Sequence, residues 1–185
     1  PSGWTGLPFT DGTWQEGFAK FGYGDNNETT TISFGTNSSA KHLGTYFRRR
    51  FFLNDPADYS TLTASLLVDD GAVIYLNGQE VQRFNMPAGT VTFSTRASSS
   101  IGGADETTFS DYVIDPGQLV AGENLIAVEV HQSSPSSSDL GFALSLKGDL
   151  SNPSNVSSQW TKVSGPGTAT FSNSSSPTSS VSFDQ

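Results

Sequence analysis

The feature that most limits the fold of this chain is a series of short apolar-polar alternations separated by turn sequences. Between residues 60 and 69 every second side chain from Leu62 to Val68 is apolar, as in a strand with one buried face. The turn sequences Asp69-Asp70-Gly71 and Asn77-Gly78 follow, and both end in dipeptides typical of hairpins. The chain from residue 60 to residue 85 is therefore predicted to form a three-stranded meander.

Similar strand patterns lie on both sides of this meander, and residues 1–35 read as mostly loop with one or two short strands. Further strands are predicted over 45–53, 90–97, 107–115, 125–132 and 141–148. Their predicted inward residues are Phe47, Phe51, Leu53, Tyr112, Ile114, Ile126, Val128, Val130, Phe142, Leu144 and Leu146. Arg49 shares the inward face of its strand, so the strand either contains a bulge or pairs Arg49 inside. The predicted fold class is all-β, a jelly-roll β-sandwich of two antiparallel sheets with a short C-terminal β extension.

The composition changes after Asp149, where a segment rich in Ser, Asn and Pro begins. We therefore predict a sandwich module over 1–149, a linker over 150–158 and a short β segment over 159–185. This last segment is too short to bury a core of its own. It is either the start of an immunoglobulin-like domain or a β-hairpin extension.

Composition and charge narrow the class of partner. The net charge of −9 disfavours nucleic acid, whose phosphates require a basic surface. The sequence has no apolar run long enough to cross a membrane, and the absence of cysteine excludes disulfides and thiolate metal sites. Abundant Ser, Thr, Gly and Asn favour a secreted, extracellular β-protein, and we expect it to be monomeric. Pro1 is not an initiator residue, so we expect neighbouring domains in a longer chain.

Several polar loops are predicted to meet at one end of the sandwich, because strand direction alternates along a meander. These loops lie at 69–71, 85–87, 102–106 and 131–139. Hairpin and turn chemistry alone also explains the first and third of them. The candidate ligand-binding residues are Tyr23, Asp70, Asn85, Asp105, Glu106, His131, Gln132 and Asp139.

Aromatic side chains are a second candidate for ligand contact, since sugar sites usually combine an aromatic platform with hydrogen-bonding groups. The candidate platforms are Trp4, Trp14, Tyr23, Tyr46 and Phe84, and Tyr23 is the one predicted to be exposed. The alternative is that those near the start of the chain plug the sandwich.

The loop GYGDNNET suggests a calcium site. Its candidate ligands are Asp25, Asn27 and Glu28, because Ca²⁺ is held by carboxylate and amide oxygens. The alternative is a polar turn closed by Asx hydrogen bonds.

No catalytic residue is predicted. The sequence has no cysteine, no Gly-x-Ser-x-Gly elbow and no HExxH motif, and an acidic pair such as Asp70 with Glu106 occurs in any acidic protein. The chain is therefore expected to be a non-catalytic module.

Six segments in order resemble a galactose-binding-like jelly-roll module of secreted bacterial multidomain enzymes. They are GYGDNNETTTISFG, TYFRRRFFL, LLVDDGAVIYLNGQEV, NMPAG, IGGADETTF and LVAGENLIAVEVHQSSPSSSDLGFALSLKG. The resemblance implies a carbohydrate-binding module, stabilised by Ca²⁺, that targets a polysaccharide-acting enzyme to its glycan. The alternative is a structural spacer or adhesion domain without a small-molecule ligand. The segments WTKVSGPGTATF and SVSFDQ resemble the opening strands of PKD-type, immunoglobulin-like repeats.

Overall fold

Strands make up the regular structure of the chain. The computed structural model describes residues 1–151, 158–164, 167–176 and 178–183, and its helices are short 3₁₀ turns at Pro56–Asp58, Asp105–Thr107 and Pro116–Gln118. The strands are β1 (Phe21–Tyr23), β2 (Thr30–Thr31), β3 (Gly44–Leu53), β4 (Tyr59–Asp69), β5 (Gly71–Leu76), β6 (Gln79–Phe84), β7 (Ser110–Ile114), β8 (Gly122–His131), β9 (Leu140–Leu150), β10 (Ala169–Phe171) and β11 (Val181–Phe183).

Two sheets pack face to face around one core. The five-stranded sheet has the order β2-β1-β9-β4-β7, and the four-stranded sheet has the order β3-β8-β5-β6. Apolar side chains from both sheets form one buried cluster, in which Ala64 of β4 and Ile74 of β5 are completely buried. The prediction of an all-β sandwich is confirmed.

Period-two alternation identified the inward faces correctly. The predicted inward side chains of β3, β4, β7, β8 and β9 all belong to the central cluster or pack against it. Each large aliphatic side chain that is fully buried contributes about 1.5–3 kcal/mol of transfer free energy, so the burial of these faces favours folding of the sandwich.

The predicted three-stranded meander is wrong in one connection. β4 belongs to the five-stranded sheet, whereas β5 and β6 belong to the other, so Asp69-Asp70-Gly71 carries the chain between sheets. This segment therefore does not close a hairpin. The Asp70 carboxylate accepts hydrogen bonds from the backbone N–H groups of Ile101 and Ser133, both at 2.7 Å. The second turn is a true hairpin, in which Asn77 and Gly78 have φ of 51° and 89°.

The predicted strand at 90–97 is also wrong, since this segment is irregular. A turn closes between Thr92 and Thr95, where the Thr92 N–H donates to the Thr95 hydroxyl and the Thr95 N–H donates to the Thr92 carbonyl, both at 2.8 Å. Such local side-chain bonds compete with strand pairing. The segment is tied down where Ala97 packs on Val73 and Met86.

Arg49 was predicted either to mark a bulge in its strand or to be paired inside the sandwich, and neither prediction is correct. β3 pairs with β8 in an unbroken register from Gly44 opposite His131 to Leu53 opposite Gly122, so the strand has no bulge. Arg49 is exposed because β3 is the edge strand of its sheet, where the inward face opens to solvent.

Residues 1–14 cover the outer face of the four-stranded sheet. Trp4 packs on Tyr46 and Tyr75, with ring centroids 4.7 and 5.6 Å apart. The buried guanidinium of Arg48 donates to the Gly6 carbonyl at 2.8 Å and pairs with Asp11. These contacts fix the arm on the sheet.

The contact pattern divides the chain into two units, Pro1–Asp149 and Leu150–Gln185. In the second unit β10 pairs with β11 in antiparallel register, and Trp160 stacks on Phe171 with centroids 6.5 Å apart. Residues 152–157, which make up most of the predicted linker, lie outside the described residues. The immunoglobulin-like character of 159–185 stays a prediction. Within the described part of the chain, no helix has the length and hydropathy to span a membrane.

Candidate functional site

The loops predicted to meet at one end of the sandwich do so. His131 lies opposite both Gly44 and Gly71 in the sheet register. Besides its bonds to residues 101 and 133, Asp70 accepts a hydrogen bond at its backbone carbonyl from the Asn85 amide at 3.0 Å. The loops at 69–71, 85–87 and 131–139 are therefore directly cross-linked.

Four of the eight candidate ligand-binding residues are buried at this end. Tyr23 is 5% exposed, Asp70 is 1% exposed, and His131 and Gln132 are fully buried. The predicted exposure of Tyr23 is wrong, because β1 turns this ring inward against Phe34, 5.2 Å away. These side chains hold loops together rather than facing solvent.

The other four candidates retain access to solvent. Asp105 is exposed, and Asn85, Glu106 and Asp139 are half-buried. The Asn85 amide closes its own loop by donating to the Ser99 carbonyl at 2.7 Å, while its oxygen accepts from the Ser99 hydroxyl at 2.9 Å.

Three carboxylates form an acidic cluster, made up of Asp69, Glu106 and Asp139. One carboxylate oxygen of each lies within 4.8 Å of those of the other two. Burial, a hydrogen bond with Asp70 and the charges of Asp139 and Glu106 raise the pKa of Asp69 to about 8. The end of β4, the 3₁₀ turn at Asp105–Thr107 and the residue before β9 supply one carboxylate each.

The loop predicted to bind calcium has its oxygens bonded within the protein. The Lys20 ammonium lies 2.6 Å from Asp25 Oδ2 and 2.9 Å from Asn27 Oδ1. Glu28 Oε1 accepts the Asp25 backbone N–H at 2.8 Å, a bond that closes a polar turn. A cation in this loop would have to displace Lys20, and calcium binding here stays a prediction.

His131 ties the irregular 92–97 segment to β8. Its Nδ1 lies 2.8 Å from the Thr95 carbonyl oxygen, and its Nε2 lies 3.1 Å from Glu129 Oε2. The Tyr75 hydroxyl donates to the other Glu129 oxygen at 2.6 Å, and burial together with this bond raises the pKa of Tyr75. Each ring nitrogen of His131 thus lies within hydrogen-bonding distance of an oxygen acceptor.

An open groove of about 270 Å³ lies over the start of β3, beside the contact between His131 and the 92–97 segment. Four chain segments line this aromatic groove: the N-terminal arm, the 33–42 loop, β3 and the 92–97 segment. The lining residues are Trp14, Ser33, His42, Gly44, Thr45, Tyr46 and Phe93.

Phe93 is the most distinctive residue of the groove. Its side chain is 51% exposed, and its ring lies 6.2 Å from that of His42. A Cβ at Gly44 would lie 3.1 Å from the Phe93 carbonyl oxygen and 3.2 Å from His131 Cε1. The absence of a side chain at Gly44 therefore lets the 92–97 segment lie close against β3.

Sequence reasoning found part of this groove. Trp14 and Tyr46 were candidate platforms and line it, whereas Trp4 is buried between the arm and the sheet, and Phe84 packs on the core. Phe93 was missed because apolar and polar residues alternate in its segment, as they do in a strand. The two threonines at 92 and 95, spaced to bond each other, were the available signal for a turn.

No family model matches the sequence, and no curated protein matches it. Among solved structures, a β-glucuronidase from glycoside hydrolase family 2 aligns with a TM-score of 0.44 at 19% identity, over 71% of this chain and 12% of that one. A Streptomyces avermitilis α-L-rhamnosidase aligns with a TM-score of 0.40 at 21% identity, over 66% and 11%. A β-glycosidase from Bacteroides vulgatus aligns with a TM-score of 0.39 at 15% identity, over 78% and 18%. The chain thus spans less than a fifth of each of these enzymes.

Proposed function

We propose that residues 1–149 form a non-catalytic carbohydrate-binding module that attaches a secreted polysaccharide-acting enzyme to its glycan, and that the glycan binds in the aromatic groove. The observation that carries this proposal is the groove lining, in which the exposed Phe93 ring and the half-buried Trp14 and Tyr46 rings stand next to hydrogen-bonding side chains.

This lining suits the chemistry of a pyranose. A sugar ring presents an apolar C–H face and a polar rim, so it packs on aromatic rings while its hydroxyls bond to side chains. Trp14 and Phe93 offer the aromatic surfaces, and Ser33, His42 and Thr45 offer hydroxyl and imidazole groups.

The size and charge of the groove limit the kinds of ligand that it would accept. Its volume of about 270 Å³ is just below the usual lower bound of about 300 Å³ for small-molecule pockets, so it would hold one or two sugar units of a longer chain. The described lining residues include no Lys or Arg, which favours a neutral glycan over an acidic one. They also include no carboxylate, the group that glycoside hydrolysis uses as general acid.

His131, one of the predicted ligand contacts, takes a supporting part in this proposal. His131 holds the Thr95 carbonyl, two residues from Phe93, and so positions the aromatic edge of the groove. Glu129 holds His131 in turn.

Affinity electrophoresis through gels containing a panel of neutral and acidic polysaccharides tests the proposal. We expect at least one neutral polysaccharide to retard the full chain, and F93A to abolish or strongly reduce this retardation. F109A is the matched control, because Phe109 is also 51% exposed but lies outside the groove lining. If no polysaccharide retards the chain, a structural spacer becomes the better explanation.

A further inference from the structure

The N-terminal arm supplies Trp14, one of the aromatic rings on which the proposed glycan would pack. Trp14 precedes the first strand, β1, so its place in the groove depends on how the arm is held. The ring packs at the edge of a small apolar cluster that contains Trp4 and Leu125. Apolar packing is not directional, so it does not by itself fix the orientation of the ring.

Arg48 of β3 makes the directional contacts to this part of the arm. Its guanidinium pairs with the Asp11 carboxylate and lies over the Trp14 ring, 5.9 Å from the ring centroid. The Trp14 N–H donates to the Asp11 carbonyl at 2.8 Å, which closes a turn over 11–14. The same guanidinium lies 5.0 Å from the centroid of Phe9, whose ring meets Trp14 edge to face at 5.7 Å. Arg48 therefore holds this turn at its first residue and at its last.

The burial of Arg48 indicates a role beyond covering the sheet. Its side chain is 2% exposed, and its Nε has no hydrogen-bond partner among the described residues. A buried ion pair is often no more stabilising than apolar residues of the same size, because desolvation offsets the attraction between the charges. Apolar contacts already attach the arm at Trp4, which packs on Tyr46 and Tyr75. The position that Arg48 imposes on the arm therefore explains a charged residue here better than stability does.

We propose that Arg48, acting through Asp11 and through its contact with the ring, positions Trp14 for glycan binding. This inference rests on the proposed function, because it concerns how the glycan site is built. Arg48 is not among the described residues that line the groove, so it is a positioning residue rather than a ligand contact.

The proposal predicts that the groove can be disrupted without unfolding the sandwich. Arg48 lies on the outer face of the four-stranded sheet, whereas the central core lies on the inner face, where Phe47 and Phe51 pack. Loss of the pair between Arg48 and Asp11 should therefore leave the core intact and free the Trp14 ring from the groove.

The test compares D11A and R48Q in the W160F background, in which Trp4 and Trp14 are the remaining tryptophans. Without any polysaccharide, acrylamide should quench the fluorescence of both variants more strongly than that of W160F alone. With the polysaccharide that retards the wild type, affinity should fall by roughly tenfold, as expected when one aromatic anchor is lost.

Two further variants of β3 serve as comparisons. R48K keeps the charge but not the planar fork that reaches two acceptors, so its affinity should lie between those of the wild type and R48Q. R49Q is the matched control and should behave as the wild type, because Arg49 is an exposed arginine on the opposite face of the same strand.

The change in quenching has to be assigned to Trp14. In a W14F/W160F chain Trp4 is the only tryptophan, and D11A should leave its quenching unchanged, because Trp4 packs on Tyr46 and Tyr75. Circular dichroism and the melting temperature establish that each variant is folded. If R48Q does not fold, D11A still provides the test, because the Asp11 side chain is 34% exposed.

Unchanged Trp14 quenching in folded D11A would overturn the proposal. Stronger quenching combined with wild-type retardation would also overturn it, because the glycan would then not depend on the position of Trp14. If no polysaccharide retards the wild type, the proposed function fails and the role of Arg48 in glycan binding fails with it. The quenching result without polysaccharide would still decide whether Arg48 positions Trp14, so the two failures are distinguishable.

Discussion

Removal of the Glu129 carboxylate should strongly destabilise the chain. Glu129 is 4% exposed and accepts from the Tyr75 hydroxyl and from His131, which is fully buried. E129A would leave both partners without this acceptor inside the protein. A buried donor left without its acceptor costs about 1–3 kcal/mol, so with two such donors we expect a loss of about 2–6 kcal/mol in the free energy of unfolding.

Urea unfolding of the full chain, followed by tryptophan fluorescence, measures this loss. With a slope of about 2 kcal/mol per molar urea, the middle of the usual range, the midpoint should fall by roughly 1–3 M. E129Q keeps the shape but can accept with only one oxygen, so it should cost less, about 1.5–3 kcal/mol. The control is E16A, because Glu16 is exposed and should change stability by less than about 0.5 kcal/mol.

The result that would refute this reasoning is an E129A variant as stable as E16A. It would mean that the Glu129–His131 pair is neither buried nor bonded as described. A double-mutant cycle of E129Q with Y75F isolates the bond between the two side chains, and a coupling near zero would remove that bond from the account.

Three further substitutions test other parts of the fold. G22A should destabilise the chain by about 1–3 kcal/mol in the same urea assay, because a Cβ there would lie 2.0 Å from the Leu140 carbonyl oxygen; wild-type stability would contradict the β1–β9 register. N77A should lower the free energy of unfolding by about 2 kcal/mol or more, because Asn77 has a positive φ and its side chain bonds to Gln118, Asn124 and Leu125. N77G loses the same bonds but tolerates the positive φ, so comparing the two variants separates the two contributions. G44A should reduce retardation on the polysaccharide gel more than it reduces stability, because its Cβ would push the 92–97 segment away from β3; unchanged retardation would contradict that packing.

The strand faces could be predicted because they depend only on local periodicity. Leu62, Ala64 and Leu66 share a face whichever strand lies beside them. The sheet to which a strand belongs depends on distant partners. Asp69-Asp70-Gly71 reads as a hairpin, yet bonds from residues 101 and 133 make it a crossing between sheets.

The meeting of the polar loops could be predicted from the sequence, whereas the aromatic groove could not. Strand direction was enough to bring the loops at 69–71 and 131–139 together. Exposure was not predictable, because polar residues such as His131 and Gln132 are buried only where other loops cover them and bond to their side chains. Phe93 is exposed for the opposite reason, since a local turn keeps its segment out of the sheets.

The central claim, that glycan binds over the aromatic groove, is tested most directly by the fluorescence of Trp14. In the W160F variant the remaining tryptophans are Trp4, which is 8% exposed, and Trp14, which lines the groove. A polysaccharide that retards the chain on gels should protect Trp14 from acrylamide and lower the quenching constant towards that of a buried tryptophan. If the same polysaccharide binds at saturation and leaves the quenching constant unchanged, the glycan binds elsewhere and the account is contradicted.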